Sequence, residues 1–193
     1  MLARDFLYKE CGVCNKLVDQ EKEIEKIVHI LKLAKIDGKQ VFFCGNGGSA
    51  GTASHMMADM FKIGKLKAIC LNDNVPLLTA LINDDGWGMV YVKQLERLFN
   101  KGDILVAISV HGGVGEEKAG PWSQNLNEAI KYVMKHGGHT IGFSGFDGGW
   151  MKDNCDVCIV VPADSTPLVE ATHVILHHYI AFEMQEGELC KRK

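Results

Sequence analysis

The chain has 193 residues, a formal net charge of -3 and an apolar fraction of 47%, which is typical of one soluble globular domain. This charge gives no electrostatic case for binding nucleic acid or lying on an anionic membrane. No apolar run approaches the roughly 18 residues of a membrane span, and the N-terminus lacks a signal-peptide pattern, so we expect a cytoplasmic protein.

Residues 1–38 are predicted to form a helical extension that packs on the main domain or on another subunit, and residues 39–193 to form that main domain. The extension carries apolar residues at helical spacing and stops at Asp37-Gly38. The spaced residues are Ile24, Ile27, Val28, Leu31 and Ala34.

Strand-like and helix-like segments alternate after residue 39. The pattern predicts strands at 40–44, 66–71, 103–109, 139–144 and 155–161, and helices at 49–63, 76–82, 88–99, 123–136 and 166–185. A loop is predicted over residues 83–86, between the second and third of these helices. This alternation is typical of an α/β fold, a doubly wound parallel sheet flanked by helices. Ligands of such sheets lie at the carboxyl ends of the strands, here in the loops after residues 44, 71, 109 and 144.

A glycine-rich turn follows the first predicted strand. Gly45, Gly47 and Gly48 let the backbone turn sharply and approach a ligand, and Ser49 is expected to cap the next helix. The unpaired amides and the dipole of such a helix start favour an anion such as a phosphate.

Two serines are predicted to face the same crevice. Ser109 ends a strand and Ser123 begins the following helix, so their hydroxyl groups could join the glycine loop in ligand binding. Alternatively, each serine only caps its own helix.

Imidazole and carboxylate side chains recur on two helices. His55 and Asp59 are four residues apart, and Glu170, His173 and His177 share one face of the last helix. Such groups could bind zinc or move protons near neutral pH. Equally, the histidines of this apolar helix could only satisfy local hydrogen bonds, because spacing alone does not bring the two helices together.

Seven cysteines, an odd number, favour free thiols over a disulfide framework. The pairs Cys11/Cys14 and Cys155/Cys158 have metal-like spacing and could together form a four-thiolate zinc site. Because side chains alternate along a strand, Cys155 and Cys158 are expected to point to opposite faces, which favours buried thiols instead.

The chain resembles, over nearly its full length, the sugar isomerase (SIS) domain of the phosphoheptose isomerase family. The resemblance is carried by the Cys-Gly-Asn-Gly-Gly-Ser string at 44–49, His55, Asn83-Asp84, the run 102–109, the turn 145–149 and His177. It implies a flavodoxin-like three-layer sandwich that forms a homo-oligomer, commonly a tetramer, with active sites shared between subunits. The implied reaction converts sedoheptulose 7-phosphate to D-glycero-D-manno-heptose 7-phosphate for surface polysaccharide such as lipopolysaccharide.

The resemblance also implies residue roles. His55, Asp59 and His177 match zinc ligands, and Asp59 and His177 also match catalytic positions. Position alone adds Glu170 as a catalytic candidate and His111 as a binding candidate. The other candidates for binding the sugar phosphate are Asn46, Gly47, Gly48, Ser49, Asn83, Asp84, Ser109 and Ser123.

The chain departs from the family pattern at several positions. The family's catalytic glutamate is Asp59 here, and its glutamine ligand aligns with Val169, which cannot coordinate a metal. The family's Ser-Thr-Ser-Gly loop reads Ser-Val-His-Gly at 109–112, followed by an insertion with Glu116, Glu117 and Lys118. Zinc is therefore a possible cofactor with an incomplete ligand set, for which Glu170 or His173 could substitute.

Two other functions fit the same residues. The glycine string approximates Gly-x-Gly-x-x-Ala and Asp73 follows the second strand, as in a nicotinamide dinucleotide site, although we expect no nucleotide cofactor. Loss of turnover would instead leave a sugar-phosphate-binding or protein-binding SIS module, like the relatives that accompany the bacterial replication initiator.

Overall fold

The computed structural model describes residues 2–113 and 123–185. The insertion residues Glu116, Glu117 and Lys118 lie outside this part of the chain. The helices are α1 Ala3–Leu17, α2 Glu21–Ile36, α3 Gly48–Lys62, α4 Val75–Asp85, α5 Val90–Leu98, α6 Gln124–Lys135, α7 Gly149–Asn154 and α8 Thr166–Glu183. The strands are β1 Gln40–Gly45, β2 Lys67–Cys70, β3 Ile104–Ile108, β4 His139–Gly145 and β5 Val157–Val161, and single 3₁₀ turns cover Val18–Gln20 and Trp87–Met89.

The five strands form one parallel sheet in the order β2-β1-β3-β4-β5. This is the doubly wound, flavodoxin-like order, with its topological switch point between β1 and β3. Gly45 pairs with Ile108 there, so the loops that follow β1 and β3 leave the sheet side by side. The predicted fold class is confirmed.

Helices cover both faces of the sheet because its central strands are apolar on both faces. In β1, Phe43 belongs to the core under α1, α2, α3 and α8, whereas Phe42 belongs to the core under α5, α6 and α7. These two cores make the three-layer sandwich. None of the helices in the described ranges has the length and apolar composition needed to cross a membrane.

Helix α4 is longer than predicted and changes the setting of Asn83 and Asp84. The Asn74 side chain accepts a hydrogen bond from the amide of Leu77, which caps the helix, and Gly86 ends it with φ of 86°. Asn83 and Asp84 therefore lie in the last turn of α4, and the prediction of a loop over 83–86 was wrong.

The two cysteines near β5 lie on the same face of the sheet. A Cβ added at Gly142 would lie 2.8 Å from the sulfur of Cys158 and 3.2 Å from that of Cys155. The prediction of opposite faces was wrong because β5 begins only at Val157, so strand alternation does not extend to Cys155. Both thiols contact the core opposite the one that holds α1, the helix of Cys11 and Cys14, which excludes a shared four-thiolate site.

The Gln20 side chain ties the N-terminal extension to the β5 edge of the sheet. The Gln20 amide donates to the carbonyl of Val160 at 2.6 Å and accepts from its backbone N–H at 2.9 Å. Gln20 thus pairs with β5 as a neighbouring strand would, and it protects an edge that could otherwise pair with another chain.

A buried histidine joins α8 to β4. The His173 Nε2 lies 3.1 Å from the carbonyl of Ser144, and the ring packs edge-on against Phe143. Burial lowers the pKa of His173 to about 4, so the ring is neutral and donates to this carbonyl at physiological pH. His173 therefore packs α8 on the sheet and lies outside the histidine cluster described below.

We predict that Gln20→Ala lowers the free energy of unfolding by about 1–2 kcal/mol, because two hydrogen bonds to Val160 are lost. Urea denaturation of parent and variant measures this difference. Asp19→Ala changes an exposed neighbour in the same turn and serves as the control. Equal stabilities of Gln20→Ala and the control would contradict the edge-pairing role.

We predict that His173→Gln flattens the pH dependence of stability. Between pH 6.5 and about 4 the unfolded chain binds a proton at His173 that the folded protein does not, so stability falls as the pH is lowered through this window. Removing the titrating ring makes the slope shallower by up to about 1.4 kcal/mol per pH unit. Urea titrations with a chelator present measure it.

The exposed His29 provides the control for that experiment. The curve of His29→Gln should run parallel to the parent's. Parallel curves for His173→Gln and the parent would show that His173 is not buried in its neutral form.

Candidate functional site

Helices α3 and α8 bring three of the predicted site residues together. His55 and Asp59 lie one turn apart on α3, with 3.7 Å between His55 Nε2 and Asp59 Oδ2. His177 on α8 places its Nε2 3.4 Å from the same oxygen, and the rings of His55 and His177 are 4.5 Å apart. The packing of α8 against α3 thus brings His177 to His55 and Asp59, which the spacing of residues along each helix could not predict.

His178 is a fourth member of this cluster. Its Nδ1 lies 3.3 Å from Asp59 Oδ2, and its ring is 5.0 Å from that of His55. One ligand atom from each of the four residues lies within 4.8 Å of the others, and no other such group of three or more occurs in the described residues. We refer to His55, Asp59, His177 and His178 as the α3–α8 cluster.

Burial leaves polar atoms on the inner side of this cluster without hydrogen-bond partners. The side chain of His177 is fully buried, and its two ring nitrogens and Asp59 Oδ2 have no hydrogen-bond partner. Desolvation, followed by the nearby rings of His178 and His55, lowers the pKa of His177 to about 4, so its ring is neutral at pH 7. A neutral imidazole beside an unpaired carboxylate oxygen is ready to accept a cation.

The α3–α8 cluster fits a divalent transition metal. At metal–ligand distances of about 2.0–2.1 Å, the ligand atoms of a tetrahedron are about 3.3 Å apart. The three distances from Asp59 Oδ2 to imidazole nitrogens, 3.3, 3.4 and 3.7 Å, are close to that separation. Imidazole and carboxylate ligands suit zinc better than magnesium or calcium.

Glu170 lies beside the cluster rather than in it. Its carboxylate packs directly over Gly48, where an added Cβ would overlap it and the Glu170 side chain would have to shift. Glu170, Gly48 and His55 line an open cavity of about 450 Å³. The structure therefore places one carboxylate between the glycine loop and the α3–α8 cluster.

The glycine loop turns through Gly47, which has φ of 57°, a conformation that favours glycine. Gly47 is also the N-cap of α3, and the buried Ser49 is the second residue of the helix. The expectation that Ser49 caps this helix was therefore wrong, because the turn is completed two residues earlier than the serine.

A polar network holds the loop in place. The Asn46 side chain exchanges two hydrogen bonds of 2.9 Å with Asn125 near the start of α6. The Tyr91 hydroxyl donates to the carbonyl of Gly45 at 2.6 Å, and Asn72 donates to the same carbonyl at 2.9 Å. The Asn46 amide is thus engaged within the protein, where it links the glycine loop to α6.

The two serines meet as the sequence predicts. Ser109 Oγ at the end of β3 and Ser123 Oγ at the start of α6 are 3.5 Å apart. Ser109 Oγ also accepts a hydrogen bond of 3.4 Å from the amide of Gly113. Two hydroxyl groups and the N-terminus of a twelve-residue helix therefore converge next to the glycine loop.

The remaining candidates lie in other surroundings. Asn83 Nδ2 donates to Asp84 Oδ1 at 2.8 Å on the exposed surface of α4. The ring of His111 packs against Phe146 at 4.3 Å and lines an open cavity of about 940 Å³ with Asp147 and Trp150. Neither group reaches the α3–α8 cluster.

Sequence reasoning did not find His178, Asn125 or Tyr91. His178 was grouped only with the histidines of the apolar last helix that could satisfy local hydrogen bonds, since neighbouring residues on a helix point about 100° apart. Asn125 and Tyr91 carry no local motif. The position of Asn125 two residues after Ser123 was the one available signal.

Comparisons with known proteins fit this architecture. A model of the SIS domain family matches residues 11–145. A phosphoheptose isomerase of Nitratiruptor sp. is 34% identical over 190 residues, covering 89% of this chain and 96% of that protein. The lincomycin biosynthesis protein LmbN of Streptomyces lincolnensis is 39% identical over 151 residues, covering 73% of this chain and 54% of that protein.

The structure of phosphoheptose isomerase GmhA from Neisseria gonorrhoeae superposes with a TM-score of 0.84 at 27% identity, covering 94% of this chain and 95% of that one. The fold, the length of the matched region and the sequence therefore all point to the same family. The chain belongs to the SIS domain family and, within it, to the phosphoheptose isomerases, which are isomerase enzymes.

Proposed function

We propose that this protein interconverts an aldose and a ketose phosphate, with sedoheptulose 7-phosphate and D-glycero-D-manno-heptose 7-phosphate as the pair. The observation that carries this proposal is the α3–α8 cluster, whose His55 lines one cavity with Gly48 of the glycine loop and with the Glu170 carboxylate. The names of the relatives support the seven-carbon sugar. We further propose that the product enters heptose synthesis for surface polysaccharide such as lipopolysaccharide.

The reaction moves a proton between C1 and C2 and needs an acid–base group and stabilisation of the developing oxyanion. Glu170 is the proposed proton carrier, because its carboxylate lines the cavity that also borders the glycine loop. Asp59, His55 and His177 are the proposed zinc ligands. Bound zinc would supply positive charge to the sugar oxygens at the reacting carbons.

Asp59 and His177 have a second proposed task. The lowered pKa keeps the His177 imidazole neutral at pH 7 and makes it a poor proton acceptor, so the proposed catalytic task of His177 and Asp59 is to position the substrate. Together they hold the reacting end of the sugar against Glu170.

The phosphate group is proposed to bind at Ser109 and Ser123 rather than directly over α3. The Glu170 carboxylate lies against Gly48 and would repel a phosphate at the start of α3. The paired hydroxyls of Ser109 and Ser123 are neutral, and the α6 N-terminus beside them favours an anion. Gly47, Gly48 and Ser49 would then contact the sugar rather than its phosphate.

A second copy of the chain is the proposed partner. Helix α4 has an apolar sequence yet buries none of its residues, and Val75, Leu77 and the adjacent Trp87 are exposed. A helix with this composition is typically covered by another protein surface. An oligomer, commonly a tetramer in this family, would cover it and could place Asn83 and Asp84 at a neighbouring site.

The proposed compartment is the cytoplasm, where a reducing environment keeps thiols free. The buried cysteines Cys44 and Cys70 support it, because both contribute to the apolar cores as thiols.

We predict that the purified protein, stripped of metal and reloaded with Zn²⁺, converts sedoheptulose 7-phosphate to D-glycero-D-manno-heptose 7-phosphate. NMR of the sugar phosphates measures the conversion. Glu170→Gln should lower kcat by about 100-fold or more while KM stays within a few-fold, because the variant keeps the shape and loses the proton carrier. Glu25→Gln, an exposed position on α2, is the control.

Undiminished turnover by Glu170→Gln would contradict its role. Binding of phosphate without turnover of any seven-, six- or five-carbon sugar phosphate would instead identify a non-catalytic SIS module.

We predict that Ser109→Ala and Ser123→Ala each raise KM for the sugar phosphate about tenfold with little change in kcat, because each removes one hydrogen bond to the phosphate. Lys135→Gln, an exposed change at the C-terminal end of α6, should behave as the parent. Steady-state kinetics measure both constants. An unchanged KM in both serine variants would place the phosphate elsewhere.

A further inference from the structure

His178 has a geometry that its position in the sequence does not suggest. It follows His177 directly on α8, yet both rings reach the same oxygen of Asp59, at 3.3 and 3.4 Å. They do so through different nitrogens, since His178 presents Nδ1, the nitrogen nearer its backbone, and His177 presents Nε2. The different reach of the two nitrogens compensates for the divergence of adjacent helical residues.

We propose that His178 is the fourth protein ligand of the metal, through Nδ1, so that three imidazoles and one carboxylate complete the site. This inference rests on the metal site of the proposed function and extends it. His178 is the imidazole closest to Asp59 Oδ2, and its ring is 4.1 Å from that of His177.

The other polar side chains of α8 near this point are engaged elsewhere. His173 Nε2 bonds the carbonyl of Ser144, and the Glu170 carboxylate packs over Gly48. The methyl groups of Val169 lie against Gly145 and offer no donor atom. Of the described residues of α8, His177 and His178 are the ones that contribute to the cluster.

The inner and outer halves of the cluster differ in exposure. The side chains of His177 and Asp59 are 0% and 17% exposed, whereas those of His55 and His178 are 51% and 45% exposed. A metal would therefore enter from the side of His55 and His178. Nitrogen-rich donor sets of this kind select Zn²⁺ and similar transition metals over Mg²⁺.

The test measures Zn²⁺ affinity of the metal-free full-length protein by competition with a chromophoric chelator. We expect one Zn²⁺ per chain, and at least about 100-fold weaker binding for His178→Ala, because loss of a direct ligand should exceed the 10–100-fold effect of an outer partner. His29→Ala, an exposed histidine on α2, is the control and should bind as the parent does.

X-ray absorption at the zinc edge of the parent protein gives a second readout that does not depend on any variant folding. We expect about three imidazoles around zinc in the parent, from the three histidines of the cluster, and one fewer in His178→Ala. Parent-like affinity of His178→Ala, or two imidazoles in the parent, would overturn the role of His178 while leaving a zinc site at the other three residues. A parent that binds no Zn²⁺ but still isomerises the sugar phosphate would overturn the metal site itself and spare the isomerase assignment.

Discussion

The carboxylate of Asp59 is buried where α8 packs across α3, and this contact determines the character of the site. Its Oδ2 has no hydrogen-bond partner and faces three imidazole nitrogens within 3.7 Å. A buried carboxylate oxygen without a donor is costly in free energy, and burial also disfavours protonation of the His177 ring beside it. A divalent cation relieves both problems, because it attracts the carboxylate and uses the lone pairs of neutral imidazoles.

The sheet places this contact beside a crevice with separate polar regions. Neighbouring strands β1 and β3 end together, so the glycine loop and Ser109 emerge side by side, and the Asn46–Asn125 pair joins them to α6. Glu170 then divides the crevice. Its negative charge disfavours a phosphate at the α3 N-terminus, and this is why we propose proton transfer at Glu170 and phosphate binding at Ser109 and Ser123.

The elements that sequence reasoning predicted well are those set by local patterns. The strand, glycine turn and helix over 40–62 follow from an apolar run and from backbone conformations that favour glycine, and the sheet follows from the alternation of elements. The errors arose where a pattern was extended too far. Strand alternation was applied to Cys155, two residues before β5, and Asn83-Asp84 was taken as a loop although Gly86 ends the helix. His178 was missed because a tertiary contact, and not helical spacing, decides which ring nitrogen meets Asp59.

Anomalous X-ray diffraction at the zinc absorption edge, from crystals of the zinc-loaded protein, tests the central claim most directly. The account predicts one strong anomalous peak about 2 Å from Asp59 Oδ2 and from the nearest nitrogens of the α3–α8 cluster. The account would be contradicted by a crystal structure with substrate bound at high occupancy that shows no anomalous peak there. In that case a lysine, a water molecule or a proton would meet the hydrogen-bonding need of Asp59 Oδ2 instead.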